Sequence, residues 1–361
     1  ENKIDFFTGV PDSLLKEFCF CITDNTNKKQ HIINSNEGSS IGLSIGYNLA
    51  TNKIPLVYFQ NSGLGNIINP YTSLVHESVF KIPMLFFIGW RGEPDKKDEP
   101  QHFFQGKITE DLLKILEIDH EILKTDTEES IKQTERIIDT IKKTEKPFAI
   151  LVKKNTFSSY SYKSNTIKSN LIREKCIEII LDNLKEDDII VSTTGKTSRE
   201  LNEVSKNKKL TPPMFFTIGG MGHSSQIALG ISNFSPKRVF CFDGDGSIIM
   251  HMGSMGIIGN NSNENYFHIL FNNGTHESVG GQPTIGQNIN FRLLSKSLGY
   301  KNYIKLTTEE KISNYFKNIK NLIEGPVFIE ISIDSSSRSD LGRPNETPLQ
   351  QKLIFRKKIN E

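Results

Sequence analysis

The chain has few of the features that mark secreted, membrane-embedded or polyanion-binding proteins. Its 361 residues contain four cysteines, none in a Cys-x-x-Cys pair, which disfavours a disulfide framework and a cysteine zinc site. Lys and Arg number 44 against 42 Asp and Glu, so charge predicts no general affinity for nucleic acid. No apolar run approaches membrane-spanning length, and the first residues lack a signal-peptide pattern. We therefore expect a cytoplasmic protein that neither crosses nor binds a membrane.

A repeat at half-length predicts two domains. The segment 127–152 has the pattern of a capped helix, a proline break and a buried strand, and the segment 308–331 has the same pattern. Pro147 and Pro326 are 179 residues apart, and the Gly-rich turns at Gly63 and Gly244 are 181 apart. Two copies of one α/β domain are the simplest explanation.

Composition sets the predicted domain limits. We predict a first domain over residues 1–152, a linker over 153–170, a second domain over 171–335 and a tail over 336–361. The linker is rich in Ser, Asn, Lys and Thr and has no sustained apolar period. Alternating short strands and helices predict, in both domains, mainly parallel sheets flanked by helices. Ligands of such sheets bind beyond the carboxyl ends of the strands, where both Gly-rich turns fall.

Two polar motifs each follow an apolar strand in the second domain. They are Gly244-Asp245-Gly246-Ser247 and Asn272-Asn273-Gly274-Thr275. Asn273 lies 28 residues after Asp245. Mg²⁺ prefers oxygen ligands and usually keeps substrate phosphates among them. The motifs therefore predict a magnesium site that also holds a diphosphate. The pair resembles the motif of thiamine-diphosphate enzymes, in which two asparagines follow Gly-Asp-Gly at similar spacing.

The first domain supplies a carboxylate, Glu37. It precedes a helix predicted over residues 38–50, where the helix dipole favours a negative charge. Taken alone, Glu37 has the pattern of a helix-capping residue. Together with the second-domain motif it becomes a candidate for the acid beside N1′ of the thiamine-diphosphate aminopyrimidine, where a carboxylate in an apolar cleft shares a proton.

Further segments make the resemblance specific. Taken together, they resemble the phosphonopyruvate decarboxylases, with the sulfopyruvate decarboxylases as close relatives, over nearly the whole chain. The segments are 8–13, 36–38, 60–66, 98–102, 244–247 and 272–278.

The resemblance implies thiamine diphosphate and Mg²⁺ as cofactors, and decarboxylation of 3-phosphonopyruvate to phosphonoacetaldehyde and CO₂ in phosphonate biosynthesis. The substrate would be a small 2-oxo acid with a distal anionic group. The resemblance also implies a homo-oligomer in which Glu37 of one chain faces the magnesium diphosphate of another.

Residue roles follow from the same resemblance. The metal ligands would be Asp245, Asn273 and the backbone carbonyl of Thr275. Met221 is a candidate apolar wedge under the cofactor or an ordinary core methionine. The remaining cofactor contacts would be Glu37, Gly219, Gly220, Gly244, Gly246, Ser247, His276 and Glu277.

The substrate side is expected in a polar loop from Trp90 to His102. Its candidate contacts, with one residue beyond the loop, are Arg91, Gln101, His102 and Lys107. The catalytic residues would be Glu37, His102 and His276, and His31 and His223 remain further candidates for proton donor.

Three alternatives remain open at this point. The same scaffold would serve 3-sulfopyruvate, whose sulfonate carries one charge where a phosphonate carries up to two. It would also serve carboligation of the acetolactate-synthase type. A nucleotide-binding module without catalysis is disfavoured, because neither a GxGxxG fingerprint in the expected context nor a GxxxxGK[ST] loop is present.

Overall fold

A computed structural model describes residues 4–162, 168–208, 211–319, 324–342, 344 and 346–360. Parts of the predicted first domain (1–3), linker (163–167) and tail (343, 345 and 361) lie outside these residues. The chain divides into two compact units, Glu1–Ser164 and Asn165–Glu361. Among the described helices, none combines the length and apolarity needed to cross a bilayer.

Unit 1 is built on a six-stranded sheet in the order β2-β1-β3-β4-β6-β5, with every neighbouring pair parallel. Side chains alternate between the two faces of the sheet, so Val57 and Phe59 enter one core and Leu56 and Tyr58 another. The strands are β1 (Phe7–Gly9), β2 (His31–Ile33), β3 (Leu56–Gln60), β4 (Leu85–Gly89), β5 (Asp119–Ile122) and β6 (Phe148–Val152). The helices are α1 (Lys16–Asn25), α2 (Glu37–Thr51), α3 (Leu64–Pro70), α4 (Pro100–Ile115) and α5 (Thr127–Thr144).

Unit 2 has a second six-stranded parallel sheet, in the order β13-β14-β10-β9-β7-β8, and a small antiparallel ribbon of β11 and β12. Its strands are β7 (Ile189–Ser192), β8 (Met214–Phe216), β9 (Val239–Gly244), β10 (Tyr266–Asn272), β11 (Thr275–His276), β12 (Gln282–Pro283), β13 (Asn302–Leu306) and β14 (Val327–Ser332). Its helices are α6 (Arg173–Leu181), α7 (Lys196–Lys206), α8 (Ser224–Phe234), α9 (Asp245–Met250), α10 (Gly253–Asn261), α11 (Phe291–Ser297), α12 (Glu309–Asn318) and α13 (Pro348–Asn360).

The two sheets share one topology. When the ribbon is left aside, the strands of each unit follow the spatial order second, first, third, fourth, sixth, fifth. Apolar clusters cover both faces of each sheet. The prediction of a repeated α/β domain with parallel sheets flanked by helices is therefore confirmed.

Two local predictions need correction. The polar loop expected from Trp90 to His102 ends earlier, because α4 begins at Pro100 and places Gln101 and His102 in its first turn. Proline suits this position, since the first helical N–H has no partner inside the helix. Helix α2 begins at Glu37 rather than after it, and the cap is Asn36, whose side chain accepts the Ser39 N–H at 2.8 Å. Glu37 is thus not a cap.

Candidate active site

Glu37 is a buried carboxylate at the start of α2. Its side chain follows the carboxyl end of β2 and is only 5% exposed. Its Oε2 accepts a hydrogen bond from Asn66 Nδ2 at 2.7 Å. Burial raises the pKa of Glu37 above its usual value, and the hydrogen bond from Asn66 only partly opposes this. Such a carboxylate is suited to sharing a proton with a ligand.

Gly63 makes room for this carboxylate. A Cβ at Gly63 would lie 2.5 Å from both Cγ and Oε1 of Glu37. The segments 36–38 and 60–66, distant in sequence, therefore meet at one point beyond β3. This Gly-rich turn was expected at the ligand edge of the sheet, but no pattern indicated that a side chain of the same unit packs against Gly63.

Asp245 and Asn273 directly follow two neighbouring parallel strands, β9 and β10, at the same edge of the second sheet. Gly244 near the end of β9 pairs with Phe271 near the end of β10. The side chains of Asp245 and Asn273 are both buried, with 2% and 4% exposure respectively. Burial raises the pKa of Asp245 to about 6, although a hydrogen bond from Thr284 opposes this shift. Asn273 Oδ1 accepts the N–H of Thr275 at 3.1 Å.

Two residues that the sequence did not single out complete this edge. The hydroxyl of Thr284, just after β12, donates to Asp245 Oδ2. Gly286 approaches so closely that an added Cβ would lie 2.6 Å from the same oxygen. Nothing in the sequence indicated that this segment packs on the carboxylate.

The residues at this edge fit an oxygen-ligated divalent cation. Within the part of the chain that the structure describes, Asp245 forms no ion pair, although burial disfavours its charge. Thr275 Oγ1 is shielded from solvent and has no hydrogen-bond partner among the described residues. A carboxylate, an amide oxygen and nearby backbone carbonyls are the ligands that Mg²⁺ prefers.

Ser247 links three segments around this edge. Its Oγ accepts hydrogen bonds from Thr193 Oγ1 at 3.0 Å and from the Gly222 N–H at 3.1 Å. The glycines of the 219–223 loop supply left-handed backbone, with φ of 62° at Gly220 and 88° at Gly222. Met221 lies between them and is half-buried, and Gly219 is half-buried as well. The predicted cofactor segments of unit 2 thus converge.

His276 and Glu277 lie beside the same edge. A Cβ on Gly246 would be 3.1 Å from the His276 ring, so imidazole and glycine are in close contact. Burial lowers the pKa of His276 to about 4, which keeps the ring neutral at pH 7. Glu277 accepts hydrogen bonds from Arg173 and Asn273, at 2.9 and 3.2 Å.

A second polar cluster in unit 1 centres on Asp98. Arg91 Nε donates to Asp98 Oδ2 at 2.9 Å, and Arg91 Nη1 donates to Ser13 Oγ at 3.0 Å. Burial alone would raise the pKa of Asp98, but hydrogen bonds from Arg91 and His102 bring it well below its usual range. His102 Nδ1 lies 3.0 Å from Asp98 Oδ1. An ionised Asp98 therefore accepts a hydrogen bond from the Nδ1–H of His102, and Nε2 remains available for chemistry.

The other candidates on the substrate side are placed differently. Gln101 Oε1 is shielded from solvent and has no hydrogen-bond partner among the described residues. Lys107 is exposed on α4, and no hydrogen bond or ion pair of the described residues joins it to Asp98. His31, a further proton-donor candidate, lies at the amino end of β2 and contacts Tyr58 Oη at 2.8 Å. His223, another, is exposed before α8.

Comparisons with known proteins identify family models and relatives that match most of this chain. Residues 1–115 match "Thiamine pyrophosphate enzyme, N-terminal TPP binding domain", and residues 193–331 match the C-terminal TPP binding domain of the same enzymes. Phosphonopyruvate decarboxylase from Streptomyces viridochromogenes is 30% identical over 313 residues, which cover 82% of this chain and 77% of the relative. Sulfopyruvate decarboxylase from Methanosarcina acetivorans is 26% identical over 348 residues, 90% of this chain and 86% of the relative. A solved thiamine diphosphate-dependent 4-hydroxybenzoylformate decarboxylase from Rhodococcus jostii RHA1 aligns with a TM-score of 0.38 at 12% identity, over 93% of this chain and 98% of that one.

Two copies of a parallel α/β unit, one with a buried glutamate and one with an oxygen-lined strand edge, are the architecture of thiamine-diphosphate-binding proteins. The chain belongs to the thiamine pyrophosphate enzymes and, within them, to the 2-oxo acid decarboxylases related to phosphonopyruvate decarboxylase. The family predicted from the motifs is thereby confirmed.

Proposed function

We propose that this protein decarboxylates 3-phosphonopyruvate to phosphonoacetaldehyde and CO₂, within phosphonate biosynthesis. Glu37 is the observation that carries the cofactor-dependent chemistry, because a buried carboxylate with a raised pKa suits an aminopyrimidine ring. The substrate assignment is supported by the 30% identical Streptomyces relative, which is a phosphonopyruvate decarboxylase.

Each polar edge has its own task in this proposal. Bound thiamine diphosphate supplies an electron sink for the loss of a carboxylate. Glu37 would hydrogen-bond N1′ of the aminopyrimidine and share its proton. Asp245, Asn273 and the Thr275 carbonyl would hold Mg²⁺. Ser247 and backbone N–H groups at the start of α9 would hold the diphosphate.

His102 is our preferred proton donor for the carbon that loses CO₂. Its Nδ1 faces Asp98 at 3.0 Å, so Nε2 is the atom that would first take up a proton from water and then give it to the carbon. Burial lowers the pKa of His102, and Asp98 partly opposes that shift. His276 is the second candidate, in a more buried position beside Gly246. The pH profiles of the two alanine variants would separate these roles.

Substrate anions would be held by unit 1. The candidates are Gln101, through the NH₂ group of its side chain, and the Arg91 guanidinium, with Lys107 as a more distant one. Since Arg91 is already held by Asp98 and Ser13, it would meet the substrate with its remaining N–H groups.

We also propose the assembly and location expected from the sequence. In a homo-oligomer, Glu37 of one chain would face the diphosphate site of another chain, with residues 1–152 as the pyrimidine domain and 171–335 as the diphosphate domain. Four unpaired cysteines support a reducing, cytoplasmic location.

One assay tests the proposal. Purified protein with thiamine diphosphate and Mg²⁺ is given phosphonopyruvate, sulfopyruvate and pyruvate in parallel, and CO₂ and carbonyl products are measured. We expect the highest kcat/KM, and an aldehyde product, with phosphonopyruvate. Preference for sulfopyruvate would support the sulfonate alternative, a ligated hydroxy-ketone would support carboligation, and no turnover would refute the proposal.

A further inference from the structure

A buried ion network lies next to Asn273. Arg173 is the first residue of α6 and Glu200 lies on α7, and they are only 5% and 1% exposed. Arg173 Nε donates to Glu200 Oε2 at 2.7 Å, and its Nη2 donates to Oε1 at 3.0 Å. This two-point geometry holds the guanidinium in one orientation.

Glu277 connects this pair to Asn273. Arg173 Nη2 also donates to Glu277 Oε2 at 2.9 Å, and the same oxygen accepts from Asn273 Nδ2 at 3.2 Å. An ionised carboxylate can only accept hydrogen bonds, so Asn273 must turn its NH₂ group towards Glu277. Its Oδ1 is thereby directed to the other side, where it accepts the Thr275 N–H and keeps a lone pair for a cation.

We propose that Glu277, Arg173 and Glu200 are positioning residues that fix the Asn273 amide with its oxygen towards the metal. This inference rests on the proposed function, because it assumes a cation at Asn273. It also changes the role expected for Glu277. A carboxylate that touched the diphosphate would repel it, whereas a carboxylate that orients the amide stabilises the metal ligand.

The formal charges of the network favour the same role. Two carboxylates share one guanidinium, so the cluster carries one excess negative charge beside the cation site. Burial raises the pKa of Glu200, and Arg173 opposes that rise, so Glu200 depends on Arg173 to stay ionised. Arg173 in turn is kept in reach of Glu277 by the two-point bond to Glu200.

A matched pair elsewhere in unit 2 separates positioning from simple stabilisation. Arg238 and Asp188 precede β9 and β7, at the amino edge of the sheet, and form a similar two-point pair at 2.7 and 2.6 Å. Asp188 is 2% exposed. Breaking this pair removes comparable buried hydrogen bonds without touching the carboxyl edge where Asn273 lies.

The experiment measures metal affinity directly. Free Mn²⁺ is titrated by electron paramagnetic resonance against the full-length protein with saturating thiamine diphosphate, at a temperature where circular dichroism shows each variant folded. We expect Glu277→Ala and Arg173→Met to bind Mn²⁺ about 10- to 100-fold more weakly, the usual effect of losing a group that orients a metal ligand. Glu277→Gln should retain most of the affinity, because its amide oxygen still accepts from Asn273. Asp188→Ala, which removes both acceptors of Arg238, should bind Mn²⁺ like wild type.

Each outcome decides the matter. Arg173→Met leaves two carboxylates without their partner, so if it does not fold, Glu277→Ala decides alone, since Arg173 there keeps Glu200. Wild-type Mn²⁺ affinity in Glu277→Ala overturns the inference, and so does equal weakening in Asp188→Ala, which would indicate general loosening. A wild-type protein that binds no thiamine diphosphate with Mn²⁺ refutes the proposed function itself, and that result is visible before any variant is compared.

Discussion

Replacing Gly63 with alanine tests whether Glu37 must be held where the structure places it. The new Cβ would lie 2.5 Å from Glu37 Oε1, about 1 Å closer than van der Waals contact permits. The backbone around Gly63 cannot yield easily, because Leu64 and Ile67 of α3 are fully buried. The carboxylate must therefore move by about 1 Å and stretch its 2.7 Å hydrogen bond from Asn66.

The magnitude follows from that displacement. A misplacement of about 1 Å at a reacting group costs about 100-fold in rate, which corresponds to about 2.7 kcal/mol in the activation barrier. We expect kcat with phosphonopyruvate to fall by this factor while calorimetry shows unchanged affinity for thiamine diphosphate and Mg²⁺. Exchange of the thiazolium C2 proton, followed by NMR, should slow in parallel.

Gly46→Ala is the matched control. Gly46 is exposed on α2, the helix that begins at Glu37, and an added Cβ there meets no atom within 4 Å. Alanine favours a helix by about 1 kcal/mol over glycine, so this variant should be slightly more stable and fully active. Wild-type kcat and C2 exchange in Gly63→Ala would refute the claim that this glycine places the carboxylate.

Three further variants have expected outcomes. Glu37→Gln should bind thiamine diphosphate normally but lose about 10²- to 10⁴-fold in kcat, the usual contribution of a positioned acid or base. Burial raises the pKa of Glu37 in the folded state, so above the unfolded-state pKa the charge of Glu37 destabilises the fold. Glu37→Gln, free of cofactor, should therefore melt at a higher temperature than wild type at pH 7. A lower melting temperature would contradict this. Asp245→Ala should abolish Mg²⁺-dependent cofactor affinity, and calorimetry showing unchanged binding would remove Asp245 from the metal site. Burial lowers the pKa of His31 to about 4, so below about pH 6.5 the unfolded chain takes up a proton at this residue and the folded chain does not. The free energy of unfolding should therefore fall between about pH 6.5 and about pH 4. Denaturant titrations of His31→Gln should show a weaker pH dependence of the free energy of unfolding.

Sequence reasoning succeeded where a pattern repeats or a motif is local. Apolar periodicity and the spacing between Pro147 and Pro326 were enough to predict one α/β topology used twice. The edge with Asp245 and Asn273 was predictable because both residues directly follow apolar strands, and parallel strands bring their carboxyl ends together. Pro100 was misread as part of a loop, although proline is equally suited to the first turn of a helix.

The contacts that hold the site in place were not predictable. Asn66 meets Glu37 across 29 positions of sequence, and Arg173 meets Glu277 across 104. Neither pair carries a periodic or spacing signal, because such contacts depend on how the strands are ordered in the sheet and not on local propensity. Thr284, which donates to Asp245, was missed for the same reason.

The two units use equivalent positions for different chemistry. In each sheet the polar group lies beyond the carboxyl end of the third strand, β3 or β9, and in each a glycine allows the close approach. Beyond β3, the Glu37 carboxylate of the neighbouring helix packs against Gly63. This carboxylate is buried and forms no ion pair among the described residues, so it is suited to sharing a proton. Beyond β9, the carboxylate stands in the turn itself and is surrounded by hydroxyl and amide groups that suit a cation. In the proposed function, a single duplicated scaffold would thereby separate proton transfer from diphosphate binding, and for this reason Gly63→Ala is expected to change kcat while cofactor affinity stays the same.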